Sequence, residues 1–506
     1  VTVSGAINRD LVMNINQPVP AGYLTPGMAV LCIDTGTELR MLSYGDMEAI
    51  VSEAEEAAVA AEEARDQAAN YANDALTGGM DPGISAAISI PALTIPAGVS
   101  QFMAGGYASA GDGGRAQFKK VPSAPEYPGY FQSADGAFWQ ISDLTLNVKQ
   151  FGAAGDGISD DTDAINNAFT ASWHRRARLY IPSGVYRVRM SGQEPASGRL
   201  RCLLNPGVSI VGDGALRSVI APFGDLASDV DYMHIIPRTD GPQDFLHISD
   251  ISIWPGFPNF DSTVKGRCPI WLVVDQNGVN ISKFQIDGCY FTPSNDYSFR
   301  SECNPAKVFQ GAPSNSLITG NSFWGGVFIS NIGDSNVVEK NTVRAPVSRK
   351  RAFDVFIVNA SGGYAGHNVF ADNNIDCPGG AFYFWNGREV IVERNNIELS
   401  EGDGSPSQAV IDFDGFSGAI LDIKVRDNHV GVFGTATAQT AIRFHNVQGG
   451  IVDGNVIKTD VSRANGLLLT AISSGIRLGH TKITGPWSSI MLDQGTDNMR
   501  VQYTSI

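Results

Sequence analysis

From about residue 245 onward one pattern recurs: an aliphatic or aromatic residue, two free positions, Asn, one free position and an apolar residue. The copies are Ile318/Asn321/Phe323, Val338/Asn341/Val343, Phe370/Asn373/Ile375, Val392/Asn395/Ile397, Val425/Asn428/Val430 and Val452/Asn455/Ile457. Looser copies stand at Ile286/Cys289/Phe291 and Leu478/Thr481/Ile483. From Cys289 to Thr481 the central residues lie 32, 20, 32, 22, 33, 27 and 26 positions apart, each within the span of one solenoid coil. A second column, "VFISN", "VFIVN", "FYFWN", "VIDFD", "IRFHN", "LLLTA" and "IMLDQ", falls between the copies and ends at Asn331, Asn359, Asn386, Asp414, Asn446, Ala471 and Gln494. Each coil therefore supplies at least two short strands. Stacked coils bring equivalent residues about 4.8 Å apart, so Asn side chains in register can hydrogen-bond as ladders while alternate side chains fill the interior. The pattern predicts an all-β chain wound as a parallel β-helix.

Counting back from the last residue of the second column assigns an inward and an outward set. The inward set is Val327/Ile329, Val355/Ile357, Phe382/Phe384, Val410/Asp412, Ile442/Phe444, Leu467/Leu469 and Ile490/Leu492. The outward set includes Phe328, Phe356, Tyr383, Trp385, Ile411, Phe413, Arg443, His445, Leu468, Met491 and Asp493. Asp412 breaks the inward pattern, because a buried carboxylate is costly unless paired or protonated. Either it is a perturbed catalytic acid, or the register slips and a bulge turns it outward.

At 506 residues the chain exceeds the roughly 250–300 residues at which single cores stop growing, a limit that a repeat array escapes. A formal charge of -16 excludes nucleic acid and anionic membrane as expected partners, since both require clustered Lys and Arg. Only "WHRRAR" (173–178) and "SRKRA" (348–352) are locally basic. The six cysteines contain no C-x-x-C pair and read as free thiols, and no metal or cofactor pattern is expected. No apolar run approaches the ~18 residues that span a bilayer, and no basic region followed by an apolar stretch opens the chain, so neither membrane insertion nor signal-peptide export is expected.

The organisation ahead of the repeats is mixed. Residues 1–45 read as short strands broken by Pro and Gly, with "VLCIDTGTELRMLSY" forming a hairpin around Thr35 and Gly36. Residues 46–79 place Met47, Ile50, Ala54, Ala57, Ala61, Ala64, Ala68, Tyr71 and Ala75 on a heptad seam ended by Gly78 and Gly79, which predicts a helical coiled-coil stalk; a surface helix is the plainer reading. Residues 80–145 are strand and turn, a small β-rich neck or the opening of the next domain.

The stretch "NVKQFGAAGDGISDDTDAINNAF" (Asn147 to Phe169) puts four acids beside a glycine turn. Asp156 and Gly157 suit a turn, Asp160 a helix N-cap, and Asp161 and Asp163 the first helical turn, where the dipole favours acids. Ile165, Phe169 and Trp173 share one face of a helix expected to lid the open end of the β-helix. A calcium loop would need acids at alternate positions and a Glu at the twelfth, which are missing here, so the aspartates read as architectural.

That stretch, followed by "RLYIPSGVYRV" and "NPGVSIVGDG", resembles the start of the pectate-lyase-like right-handed parallel β-helices of phage tailspike and tail-fibre depolymerases, over roughly residues 146–506. The resemblance implies a homotrimer in a virion. Residues 1–45 would meet phage tail or baseplate proteins, and the β-helix would bind bacterial surface polysaccharide, whether capsule, exopolysaccharide or O-antigen. The chain departs from many such relatives in ending on "MRVQYTSI", a β-helix coil, and in lacking the paired N-x-D and D-D motifs of polygalacturonases.

Glycoside hydrolysis needs two carboxyls about 5–5.5 Å apart for retention or about 6.5–9.5 Å apart for inversion. Asp412 and Asp414, two residues apart on one strand, would stand roughly 6.6 Å apart. Asp354, about 10 Å away along the stack, and Glu393, near Arg388 and Glu389, are further acids, while Asp414 could equally replace Asn in a ladder. Tyr383, Trp385, Arg388, Arg443 and His445 are the expected substrate-binding residues, and Phe328 and Phe356 the expected subunit contact. A lyase would use one base and a cation against the uronate, for which His445, Arg443 and Lys424 are available. Three functions compete: a depolymerase, a binding-only fibre, and a cellular polysaccharide lyase or epimerase.

Overall fold

The computed structural model describes residues 2–3, 9–12, 19, 32–41 and 83–190, and between 200 and 500 the strands given below with most of their connecting turns. Contacts divide the chain into two compact units, Val1–Asp81 and Pro82–Ile506. In the first, Cys32–Asp34 and Glu38–Met41 form the expected antiparallel hairpin, closed by a hydrogen bond from Thr35 N–H to Glu38 C=O with Gly36 at φ 91°. Leu11, Val19 and Met41 make its small core. The heptad seam of residues 46–79 lies outside the described residues.

The second unit is mostly β. After an antiparallel sheet ordered Gln101–Ala104, Ala116–Val121, Phe138–Ile141, Tyr130–Gln132, the chain winds through three long parallel sheets. Among the described residues sheet 1 has 13 strands from Thr145–Asn147 to Met499–Arg500, sheet 2 has 12 from Asp156–Asp160 to Lys482–Thr484, and sheet 3 has 11 from Leu200–Leu204 to Trp487–Asp493. Each coil passes through sheets 1, 2 and 3 in turn, which is a parallel β-helix. One apolar core runs from Ile84 to Ile483, so the antiparallel sheet and the coils share it.

The recurring Asn is the turn from sheet 1 to sheet 2. The residue before it, or before the Cys289 that takes its place, is left-handed at Gly288, Gly320, Lys340, Asp372, Arg394, Asp427 and Gly454, with φ between 53 and 68°. Reversing the backbone there lets two residues join the strands and turns the Asn amide into the stack. Asn321, Asn341, Asn373, Asn395, Asn428 and Asn455 are buried and form one ladder, each Nδ2 donating to the Oδ1 of the next at 2.9–3.0 Å. The same amides donate to strand carbonyls such as Ile318 and Phe370, and each Oδ1 also accepts the backbone N–H of the Asn before it. A second ladder joins Asn336 to Asn368 at 2.9 Å. Side chains between ladders pack as files of rings: Phe384 on Phe413 at 4.8 Å and Phe413 on Phe444 at 5.4 Å.

The acidic stretch is architectural. Asp156 accepts from the backbone of Ile158 and Ser159, closing the turn whose Gly157 has φ 74°. The helix is Thr162–Arg175; its N-cap position is Asp161, one residue later than expected, while Asp160 accepts from Thr162 N–H and pairs with Arg189 at 3.0 Å. Asp161 instead reaches back to Ala154 and Gly155 N–H at 2.7 and 3.2 Å, and its burial pushes the carboxyl up from its ordinary value. In the first coil the helix stands in sequence where later coils have a sheet 3 strand, and it packs against Leu200–Leu204, covering that sheet's open edge. Ile165, Phe169 and Trp173 are its buried face.

Adjacent residues test the ladder. Asn395→Ala removes the acceptor of the Asn373 backbone N–H and of one Asn373 side-chain N–H, a buried unsatisfied group costing about 1–3 kcal/mol, and is expected to lower the urea midpoint clearly. Asn396→Ala, at an exposed amide, is expected to stay within about 0.5 kcal/mol.

Candidate functional site

The inward rings fix what points out. In sheet 3, Phe382 pairs with Ile411 and Phe384 with Phe413, so Tyr383 lies beside Asp412 and Trp385 beside Asp414. One strand further, Asp412 pairs with Arg443 and Asp414 with His445. Asp354 precedes Tyr383 in the same file. Two outward files result: Asp354–Tyr383–Asp412–Arg443 and Trp385–Asp414–His445.

Asp412 is thus outward, opposite to the inward position assigned from the column ends. No bulge is involved: "VIDFD" ends one position earlier in the register than "FYFWN", so Asp414 matches Trp385 and not Asn386. The same one-residue offset puts Met491 inside, beside Leu467, and leaves Ile490 and Leu492 exposed. A one-residue shift inverts every side chain of a strand.

Although outward, Asp412 has no exposed surface, being flanked along the stack by Tyr383 and Arg443. Arg443 grips it with two bonds, Nε to Oδ1 at 2.7 Å and Nη2 to Oδ2 at 3.1 Å, and Nη2 also donates to Asp414 Oδ2 at 3.0 Å. Both Oδ2 atoms therefore stand within about 6 Å of one another. The other Asp414 oxygen, Oδ1, is buried with no hydrogen-bond partner. Burial pushes the Asp412 carboxyl up while Arg443 opposes that shift, and the two acids hold Arg443 firmly cationic.

Arg351 completes the cluster. Its guanidinium lies 3.8 Å from the centre of the Tyr383 ring, and its Nη1 is 3.4 Å from Asp354 Oδ1. Burial, then Asp414, raises the Tyr383 hydroxyl above its ordinary pKa. Three carboxylates thus face two guanidiniums across a tyrosine, and neither arginine is without an acid. In the sequence residues 348–352 stand out only as basic, and no local signal places Arg351 on Tyr383, a contact between neighbouring coils.

Two expected residues stand elsewhere. Glu393 ends a sheet 1 strand and joins Arg394 and Arg426, with Arg394 also held by Asp372 at 2.9 Å, so it belongs to an ion-pair ladder on another wall. Arg388 lies in the connection between sheets 3 and 1, 3.2 Å from Glu389, which pairs with His367 at 2.6 Å. Phe328 pairs in register with Asp354 on the neighbouring strand. Among the described residues no three His, Cys, Asp or Glu side chains converge as a metal site.

Residues 145–240 match the family described as "Rhamnogalacturonase A/epimerase, pectate lyase-like". The chain is 48% identical over 78 residues to mannuronan C5-epimerase AlgE2 of Azotobacter vinelandii, which is 15% of this chain and 8% of that protein. It is 47% identical over 79 residues to alginate lyase 7 of the same organism, again 15% of this chain and 9% of the relative. The chain thus spans under a tenth of the length of these two relatives. In fold it is similar to the tailspike protein gp49 of Acinetobacter baumannii bacteriophage Fri1, with TM-score 0.51, 8% identity, and coverage of 82% of this chain and 75% of that one.

Removing Arg443 strands a buried carboxylate. Arg443→Met is expected to destabilise by about 3–5 kcal/mol, and Asp412→Leu added to it to restore most of the loss, read from denaturant midpoints. The Glu393 ladder carries a pH signature. Burial raises the Glu393 carboxyl but Arg426 and Arg394 lower it further, leaving it below its ordinary value. Its stabilisation is complete above the unfolded glutamate pKa and is lost as pH falls through the depressed folded value. Glu393→Gln is expected to flatten the acid limb of a melting-temperature profile.

Proposed function

We propose that the chain is a bacteriophage tailspike or tail-fibre protein whose sheet 3 wall binds bacterial surface polysaccharide and cleaves its glycosidic bonds. The observation that carries this reading is the covered acid–arginine cluster lying outward between Tyr383 and Trp385 on one side and His445 on the other. The two rings offer faces for stacking sugars, and the acids offer proton transfer.

The roles divide by partner. Asp412, sealed and gripped by Arg443, is a positioning residue: it orients the guanidinium, which orients Asp414. Asp414, with an unpartnered oxygen, is the acid–base group, and Asp354 on the far side of Tyr383 is its counterpart. Two rungs of roughly 9.6 Å and two residues of roughly 6.6 Å along the strand put Asp354 and Asp414 roughly 12 Å apart at the backbone, so the two carboxyls must lean toward one another to reach the roughly 6.5–9.5 Å that leaves room for a water and inverts the anomeric centre. An excess of carboxylate favours neutral or amino sugars over uronates. The fold likeness to a phage tailspike and the heptad seam of residues 46–79 support a virion component that assembles as a trimer, anchored to the phage tail or baseplate through residues 1–45.

A second reading is elimination or epimerisation at a uronate, favoured by the short stretch of high identity to mannuronan epimerases and an alginate lyase. It needs a cation free to meet the substrate carboxylate, whereas Arg443 and Arg351 already hold acids.

Mass spectrometry of oligosaccharides released from capsules and O-antigens separates the readings. Reducing ends are expected. Asp414→Asn is expected to slow release by about 10²–10⁴-fold without changing the circular dichroism spectrum. Unsaturated ends would replace hydrolysis by elimination, and unshortened polymer with measurable affinity would leave a binding protein.

A further inference from the structure

Sheet 1 carries a second polar constellation, on a different wall from the acid–arginine cluster. Ser209, His247 and Gln285 follow one another in a single outward file, since Ser209 pairs with His247 and His247 with Gln285. Asp287 lies in the neighbouring outward file, paired with Ser249. Ser209 Oγ stands 3.2 Å from His247 Nδ1, and His247 Nε2 stands 2.6 Å from Asp287 Oδ1. Gln285 Nε2 donates to that same oxygen at 3.0 Å and steadies the carboxylate. The inward neighbours Val208, Ile210, Leu246, Ile248, Phe284 and Ile286 are all buried, so the three strands are anchored, while Ser209, His247 and Asp287 stay partly open to solvent.

A hydroxyl, an imidazole and a carboxylate linked in that order are a nucleophile, its base and the group that orients the base. Nothing in the β-helix requires the linkage. A His–carboxylate pair recurs at His367 and Glu389, but at His247 a serine 38 positions before and an aspartate 40 positions after meet opposite nitrogens of one partly exposed imidazole. Arg178 precedes Leu179, the partner of Ile210, and so stands one rung before Ser209, on the side away from His247. It is the donor best placed by register to meet a developing oxyanion.

We propose that Ser209, His247 and Asp287 form an esterase site that hydrolyses a carboxylic ester of a sugar hydroxyl, of the O-acetyl type. Ser209 Oγ bonds to the acyl carbon as its proton passes to His247 Nδ1, with Asp287 holding the Nε2 proton and balancing the imidazolium. The tetrahedral adduct expels the sugar oxygen, which takes the proton from His247 and leaves as an alcohol. Water, giving a proton to the same imidazole, then attacks the acyl-serine and releases the carboxylic acid, and the serine recovers its proton. The triad chemistry is independent of the sheet 3 reading; only the choice of a polysaccharide as carrier rests on it.

The test uses the full chain with p-nitrophenyl acetate, an O-acetylated polysaccharide, and a fluorophosphonate followed by peptide mass spectrometry. Wild type is expected to release p-nitrophenol and acetate and to carry one phosphonyl adduct at Ser209. Ser209→Ala is expected to lose the adduct and about 10³-fold or more of the ester hydrolysis, and Asp287→Asn to lose about 10²–10⁴-fold with its circular dichroism kept. Wild-type hydrolysis no faster than Ser209→Ala would overturn the proposal, as would an absent adduct on the wild type, which needs no variant to fold. Polymer length and acetate are read in the same reaction. Acetate freed from unshortened polymer supports the esterase while overturning the glycanase, and the converse result does the reverse.

Discussion

The asparagine amide ladder sets the geometry on which the rest of this molecule depends. Each amide satisfies backbone groups of the coil before it and the side chain of the coil after it, so coils stack only in one register. A shift by one residue would bury unpaired amides, which hydrocarbon packing cannot offset. The left-handed residue before each Asn makes the turn short enough for this, and non-glycine residues such as Lys340, Asp372 and Arg394 accept that conformation there. Backbone pairing spaces the rungs of sheet 3, and the ring file of Phe384, Phe413 and Phe444 fills the interior at that spacing.

On that frame the outward files become rigid rows of chemistry. The buried pair Asp412–Arg443 gives little net stability, because desolvating both ions consumes most of their attraction. Its effect is positional: the fork of Arg443 has two nitrogens committed to Asp412, and its shared Nη2 leaves Asp414 one defined orientation. The Glu393 ladder uses the same residue types differently. There Arg394 and Arg426 remain about half exposed and the pairs link coils along a solvated wall, so screening reduces their value.

A β-helix also lets one chain carry separate chemistries. The three sheets face different directions, and each outward file samples one residue per coil, so the acid–arginine cluster on sheet 3 and the serine–histidine–aspartate linkage on sheet 1 share a core without sharing a surface. Changing one wall leaves the inward rings, and hence the other wall, in place. This separability suits a protein proposed to meet a decorated polymer, whose backbone bonds and ester substituents demand different groups.

The stacked coils and the Asn ladder were legible in the chain, because a repeated Asn between apolar residues is a local signal, whereas the third strand of each coil and the coils before residue 245 were not, since no repeated residue marks them. The architectural use of Asp156 to Asp163 was legible too, where short-range turn and helix rules suffice. The parity of sheet 3 was not: "VIDFD" and "FYFWN" look equivalent, and only the pairing of Phe384 with Phe413 reveals that Asp412 points outward. The gathering of Asp412 and Asp414 on Arg443, the seat of Arg351 on Tyr383, and the alignment of Ser209, His247 and Asp287 were decided by tertiary structure alone. The physical reason is that coil length varies while rung spacing does not. Which residues become neighbours across coils therefore depends on where each turn lets the strand begin, a quantity set by packing and absent from the spacing of the residues themselves.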